Sequence, residues 1–331
     1  MNHQARPTGN LERRIHDAER DLFAALGADV EESFLELAQT GLRVRVLSHG
    51  HGPAVVLLHG VSESAAIWAP LFPELRDFRL LAVDLPGHGL SDPAAFRRGQ
   101  VRGHARRLID DILDALGLDE VPVVGHSLGG MFALWHAAAG SERISAVVAI
   151  GEPAVALPGV RVRVPLSLLT VRGLGVAVLR SPSPHGVYRR LLARGLGSAE
   201  AAAAPDPLIE ALRLSARRPQ TARTVASLMH AIDRFRHPRP ESVLTSAELA
   251  AITTPTIFIL ESDDPYLPVE RARTSIGQIH GARLDEVPGG HAPWLVDPQH
   301  AAELLTTHAH LATGPRLSAG SGRKPPANAP A

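Results

Sequence analysis

The 331-residue chain contains no cysteine, which excludes disulfides, thiolate metal sites and a cysteine nucleophile together. It carries no net formal charge, so no overall field favours nucleic acid as a partner, or an acidic ligand. No run of about 18 uncharged apolar residues occurs, and no integral membrane span is expected. The opening segment is polar and charged, through Asn2-His3-Gln4-Ala5-Arg6 and Leu11-Glu12-Arg13-Arg14-Ile15, without the apolar core that a signal peptide needs. A cytoplasmic location is the expectation that follows. No internal repeat is visible, and the preference for Ala, and for Arg over Lys, is read as genomic base composition. What is present is apolar material, 45% of the chain, enough for a sizeable core, with 21% charged residues to keep it soluble. The length admits one large α/β domain or two smaller ones.

In chain order, Leu11, Ile15, Leu22, Phe23 and Leu26 stand between charges and Gly27 follows, which predicts an amphipathic helix packed on the sheet edge. Phe34–Ala38 and the alternating Leu42–Leu47, joined at Thr40-Gly41, predict an antiparallel hairpin. The unbroken apolar runs Val55–His59 and Leu80–Asp84 suit strands buried on both faces of a mostly parallel sheet. Helix and strand then alternate through Ala105–Leu116, Val121–Val124, Leu128–Ala139 and Ile144–Ile150, an order that predicts a doubly wound α/β fold. Between Pro153 and about residue 250 strand patterning stops, while Pro207–Ala216 and Thr221–Phe235 look helical. A buried strand resumes at Pro255–Leu260, and a last helix is expected over Gln299–Leu311. The division expected is an N-terminal helical extension (1–33), a core (34–152 and 251–312), an inserted helical cap (153–250) and a disordered Pro/Gly/Ser/Ala-rich tail (313–331).

The stretch Val121–Gly130 organises the rest. A β-branched run ends at Gly125 and an apolar helical pattern opens at Leu128, so Gly125-His126-Ser127-Leu128-Gly129 is a G-x-S-x-G sequence between strand and helix. A serine on so tight a turn sits in strained backbone, and the neighbouring strand and helix leave room only for glycine on either side. The turn lifts Ser127 clear of the sheet beside the unpaired N–H groups of a helix N-terminus.

A serine nucleophile needs a base, and the base needs an orienting acid. In chains with this turn the partners follow as acid, then histidine. The carboxylates of Leu260-Glu261-Ser262-Asp263-Asp264 fall just past a strand's C-terminal end, where ligand sites gather in open α/β sheets. Further on, Val287–Trp294 places His291 in a loop punctuated by glycine and proline. Its imidazole could take the serine proton and return it to the leaving group. Place and loop select His291 from the 17 histidines, since residue type alone does not. For the oxyanion, the turn His59-Gly60-Val61 supplies the Val61 N–H and the helix start supplies that of Leu128.

With these motifs in order, the chain resembles the α/β-hydrolase-fold superfamily, in its serine-nucleophile branch with a helical cap. The resemblance rests on His59-Gly60 followed by Trp68, on Asp84–Asp92, on Gly125–Gly130, on Asp263-Asp264-Pro265 with Pro268, and on Gly290-His291 with Pro293-Trp294. It covers roughly residues 42–152 and 252–310. It implies a Ser127–His291–Asp264 triad, with Asp263 and Glu152 as alternative acids, and no cofactor or metal. The segment with His88 is implied to be structural. The reaction implied is acyl transfer from a small-molecule ester, lactone, thioester or amide, that is, esterase or lipase chemistry. C–C bond hydrolysis and cofactor-free haloperoxidase activity share the triad, and a non-catalytic ligand-binding protein of the same fold is the rival of another class. Epoxide hydrolases and dehalogenases of this fold use an aspartate where Ser127 stands. The former also use two cap tyrosines, where this segment has only Tyr188, and the latter a tryptophan where Leu128 stands.

Residues 155–250 hold 14 arginines against six acids. An electropositive mouth for an anionic substrate is one reading, and a solvated structural face is the other, preferred one. Arg161, Arg163, Arg172, Arg180, Arg189 and Arg190 are the expected candidates for the mouth. Val164–Val171, with Leu174, Val176, Val178 and Leu179, is expected to supply an apolar lining. The cap is expected to be a removable selectivity layer, with the triad wholly in the core.

Overall fold

The computed structural model describes residues 9–161, 166–171, 173–181 and 183–313. The apolar runs become the middle of one sheet, because a strand covered on both faces has no solvent side for polar residues. These strands are β3 (Ala54–Leu58), β4 (Arg79–Val83), β5 (Val121–His126), β6 (Ile144–Ile150) and β7 (Thr256–Glu261). The hairpin β1 (Glu31–Glu36) and β2 (Arg43–His49) lies at one edge and β8 (Arg283–Val287) at the other. The eight-stranded order is β1-β2-β4-β3-β5-β6-β7-β8. Only β1 with β2 and β2 with β4 pair antiparallel. The strands from β4 through β8 are parallel, so β3, β5, β6 and β7 deliver their C-terminal ends to one side of the molecule.

Alternate side chains divide between two faces, as the two-residue period of a strand demands. Val56, Leu58, Val83 and Val123 pack with Leu108 and Ile112 of α2 (Val101–Leu116) and Met131 of α3 (Leu128–Ala137). Val55, Leu57, Ala82 and Val124 pack on the opposite side with Trp68, Trp294 and Leu305. The first helix, α1 (Asn10–Leu26), follows the expected bounds and ends at Gly27, whose φ of 62° suits glycine.

Its placement is more than the edge packing expected of it. Glu19 of α1 binds Arg45 of β2 at 2.5 Å, and Arg45 also reaches Glu32 at 2.5 Å and Asp84 at 3.3 Å. The same helix lays Ile15 and Ala18 against Ala211 and Leu214 of α7 (Asp206–Ala216). It thus ties the sheet to the segment inserted between β6 and β7.

That inserted segment is helical among its described residues. Its α-helices are α4 (Leu174–Arg180), α5 (His185–Gly195), α6 (Ser198–Ala203), α7, α8 (Pro219–Ile232) and α9 (Ser246–Ala250). Strand β1 begins at Glu31, inside the range expected to be helical extension. Strand β8 and α10 (Val269–Ile276) carry no apolar run or long stripe, and the sequence did not point to them. The last helix, α11, spans Pro298–Thr313, and the tail expected to be disordered lies, from residue 314, outside the described residues. No described helix is long and apolar enough to cross a membrane.

Candidate active site

Ser127 stands between β5 and α3 at φ 49°, ψ −106°, a conformation that residues with a side chain rarely adopt. The two flanking glycines make the turn feasible. A Cβ on Gly125 would overlap the backbone of Gly129 and Gly130, and one on Gly129 would overlap the Leu58 carbonyl of β3. The Ser127 N–H is tied to the Ile150 carbonyl at 3.2 Å, and the residue faces a cavity of about 230 Å³.

His291 lines the same cavity. Its Nδ1 lies 2.6 Å from Asp264 Oδ2. With the carboxylate accepting, Nδ1 carries the proton and Nε2 is left as the basic nitrogen. That Nε2 is buried and has no partner among the described residues. Asp264 also accepts the Glu152 N–H at 3.0 Å and the Tyr266 N–H at 2.8 Å. Burial pushes its carboxyl up, but His291 and these hydrogen bonds outweigh burial and hold it below the usual carboxylate range.

The other two carboxyls weighed for this role sit differently. Asp263 is exposed. Glu152 is buried and lines the cavity, but its contact with Asp264 is through its backbone N–H, and its Oε1 has no partner among the described residues. Burial and the charge of Asp264 raise the Glu152 carboxyl well above its ordinary value.

Of the two amides expected to face an oxyanion, Leu128 opens α3 and Val61 follows Gly60; both residues line the cavity. Among the described residues neither N–H is taken by a protein acceptor. The Val61 turn is braced by its neighbours. Glu63 Oε2 accepts the Gly60 N–H at 2.6 Å and lies 3.0 Å from His126 Nδ1, while His126 Nε2 lies 2.9 Å from the His291 carbonyl. Three separated segments therefore meet through Glu63 and His126. His126 was visible in the sequence as the residue before the serine, whereas nothing marked Glu63.

His88 is buried, with its ring held near neutrality of charge by burial, which pushes its pKa down to about 3. It does not line the cavity. His59 accepts the Leu85 N–H on Nε2 at 3.0 Å, so its role is to hold the turn.

The loop that carries His291 has supports that no motif marked. The Leu196 carbonyl, between α5 and α6, accepts the His291 N–H at 2.6 Å, and Glu200 of α6 accepts the Gly290 N–H at 2.5 Å. This corrects the expectation of a removable layer: the inserted segment holds the loop that carries the imidazole.

The inserted segment also supplies much of the cavity wall, including Leu169, Val178, Leu179, Met229 and Ile232. The arginines on the cavity are Arg194, Arg213 and Arg217. Arg161, Arg180, Arg189 and Arg190 do not line it, and Arg163 and Arg172 lie outside the described residues. Arg213 is engaged by Glu210 at 2.6 Å and by the Ser183 carbonyl at 3.2 Å. Arg194 and Arg217 are exposed and have no ion pair among the described residues.

Glu261, Asp264 and His291 place ligand atoms within 4.8 Å of one another, the one described cluster with the donor set for a metal ion. Its geometry suits a shared proton. Asp264 and His291 are at direct hydrogen-bond distance, and burial with the Asp264 charge keeps the Glu261 carboxyl protonated well above its ordinary value.

Comparison with known proteins agrees with the architecture. A sequence profile described as the alpha/beta hydrolase fold matches residues 53–298. The chain is 28% identical over 255 residues to the 2-hydroxy-6-oxononadienedioate/2-hydroxy-6-oxononatrienedioate hydrolase of Cupriavidus pinatubonensis, covering 74% of this chain and 82% of that protein. Carboxylesterase CesB from Bacillus subtilis superposes with a TM-score of 0.70 at 19% identity, over 90% of this chain and 98% of the other. The 2-hydroxy-6-oxo-6-phenylhexa-2,4-dienoate hydrolase of a Rhodococcus strain superposes with a TM-score of 0.69 at 20% identity, over 85% and 99%. At such identity the superpositions speak for the fold alone.

Proposed function

This chain belongs to the α/β-hydrolase fold family, and from that premise we propose that it is a serine hydrolase of small acyl substrates, working through an acyl-enzyme on Ser127. One observation carries the reading: His291, held through Nδ1 by Asp264 at 2.6 Å with its Nε2 left partnerless among the described residues, lines the same cavity as Ser127.

On this reading, His291 Nε2 takes the Ser127 hydroxyl proton as Oγ attacks the substrate carbonyl carbon. The Val61 and Leu128 N–H groups receive the developing oxyanion; each such donor is worth roughly 10²–10³ in turnover. His291 then passes its proton to the leaving group, and water, deprotonated by the same nitrogen, releases the acid. Asp264 stays ionised throughout, fixing the tautomer and stabilising the imidazolium. In this reading neither Asp263, which is exposed, nor the Glu152 carboxyl is the orienting acid; Glu152 meets Asp264 through its backbone N–H.

A second reading, hydrolysis of a C–C bond by the same residues, is favoured by the 28% identity to the Cupriavidus pinatubonensis 2-hydroxy-6-oxononadienedioate/2-hydroxy-6-oxononatrienedioate hydrolase. Labelling with a fluorophosphonate tests the shared premise: an adduct on Ser127, absent in Ser127→Ala, is expected. Folded protein that resists labelling would point to a ligand-binding protein instead. Turnover of p-nitrophenyl esters against a vinylogous β-diketone acid separates the ester from the C–C reading.

A further inference from the structure

The cavity wall mixes aliphatic and polar side chains, and two carboxyls, Glu63 and Glu152, belong to its lining residues; of these, Glu152 has an oxygen without a partner among the described residues. Glu152 follows β6 and is only 2% exposed, yet it is one of the residues that line the cavity. Its backbone serves Asp264, and its side-chain Oε1 is buried without a partner among the described residues. A buried carboxyl without a partner is costly, and among the described residues no cation offsets it: Asp264 is the charged neighbour that acts on it. A partner supplied from the cavity would satisfy it.

We propose that the Glu152 carboxyl is a substrate-recognition group, donating a hydrogen bond to a neutral oxygen acceptor, a keto, ether or ester oxygen, carried by the acyl substrate near its scissile carbonyl. The proposal rests on the reading of this cavity as a serine hydrolase's. The protonated state that such donation needs is the one that burial and Asp264 impose on this carboxyl. The acceptor has to be neutral because a carboxylate placed there would face Asp264, which is held ionised. It lies near the reacting carbon because Glu152 borders Asp264, and Asp264 borders His291. A substrate that is hydrocarbon throughout would leave the Glu152 carboxyl desolvated and unpaired, so this group sorts substrates by an oxygen in place of a methylene.

The test uses isosteric pairs on the full chain. Hydrolysis of p-nitrophenyl methoxyacetate is compared with that of p-nitrophenyl butyrate, then with the ether oxygen moved outward one carbon at a time, each beside its methylene isostere. Intrinsic reactivity cancels when the ether-to-methylene ratio of kcat/KM in a variant is divided by that of the wild type. At one ether position Glu152→Leu should lower the ratio by about tenfold, the scale of one buried hydrogen bond, whereas Glu152→Gln, which keeps an N–H donor, should retain most of it. An identical ratio in wild type and Glu152→Leu at every position overturns the proposal.

A second measurement needs neither chemistry nor a stable leucine variant. Infrared difference spectra of the wild type with saturating methoxyacetone, and with methyl propyl ketone, should show a protonated-carboxyl band that shifts for the ether only and is missing in Glu152→Gln. No ether-specific shift overturns the proposal. Fluorophosphonate labelling separates the two levels: loss of Ser127 labelling with the band shift intact would remove the hydrolase reading and leave Glu152 as a ligand-binding group.

Discussion

The carbonyl of Leu196 accepts the N–H of His291 at 2.6 Å, so a residue between α5 and α6 fixes the backbone of the imidazole-bearing loop. Glu200, four residues on, grips the preceding Gly290 N–H. Placement of the His291 loop is therefore shared between the core and the inserted segment. Glu200→Ala should lower kcat by roughly ten- to a hundred-fold, since small displacements of a reacting group cost about that much. KM should change less, and neutral and anionic esters should suffer alike. Steady-state kinetics on both ester classes checks it, and a pure KM effect would contradict it.

Asp264→Asn should cut turnover by about 10⁴, because the amide then favours the wrong imidazole tautomer. Asp263→Asn, at an exposed position, should leave turnover close to the wild type's. Side-by-side kcat values decide the matter, and reversal of the two results would move the orienting role to Asp263.

A pH signature follows from Glu261, whose two carboxyl oxygens are both buried without a partner among the described residues. Its folded-state pKa lies well above the ordinary 4.5. Above about pH 4.5 the unfolded chain has lost this proton while the folded chain keeps it. The contribution to stability is thus fully present below that pH and drains away as pH rises towards the folded-state pKa, at up to about 1.4 kcal/mol per unit. Glu261→Gln removes this slope. Denaturation midpoints between pH 5 and 8 should fall less steeply in the variant, and parallel profiles would show that Glu261 does not hold its proton.

Arg194 and Arg217, exposed on the cavity and without an ion pair among the described residues, are the cations free to meet an anionic substrate. Neutralising both with glutamine should raise KM for anionic esters several-fold, leave neutral esters nearly unaffected, and lose its effect as salt is added. Arg213, held by Glu210 and the Ser183 carbonyl, should instead cost stability when replaced. Equal losses on both ester classes in the double variant would mean these arginines serve the fold.

Much of this was legible because local rules and global fold agree in the core. The run Val55–Leu58 is apolar without alternation, which specifies a strand covered on both faces. Gly125 and Gly129 mark a turn that tolerates no Cβ, which is why Ser127 could be found between them. The order of Asp264 and His291 also survived folding into direct contact. Strand β8, Arg283-Leu284-Asp285-Glu286-Val287, was illegible because an edge strand needs no apolar run. Glu200 was illegible for another reason. Its partner Gly290 lies 90 residues away, and a carboxyl caught by a backbone N–H leaves no spacing pattern. The arginines failed similarly: composition told how many the segment holds, while helix packing decided that Arg194 and Arg217 reach the cavity.

The backbone of Ser127, at φ 49°, has a consequence for the chain under mutation. Such a conformation costs a residue with a side chain on the order of 1–3 kcal/mol, and glycine would pay almost none of it. Ser127→Gly should therefore melt higher than Ser127→Ala, and higher than the wild type, while being inert. On the reading of Ser127 as the nucleophile, that strain is the stability the fold gives up to hold a hydroxyl where glycine would sit more easily.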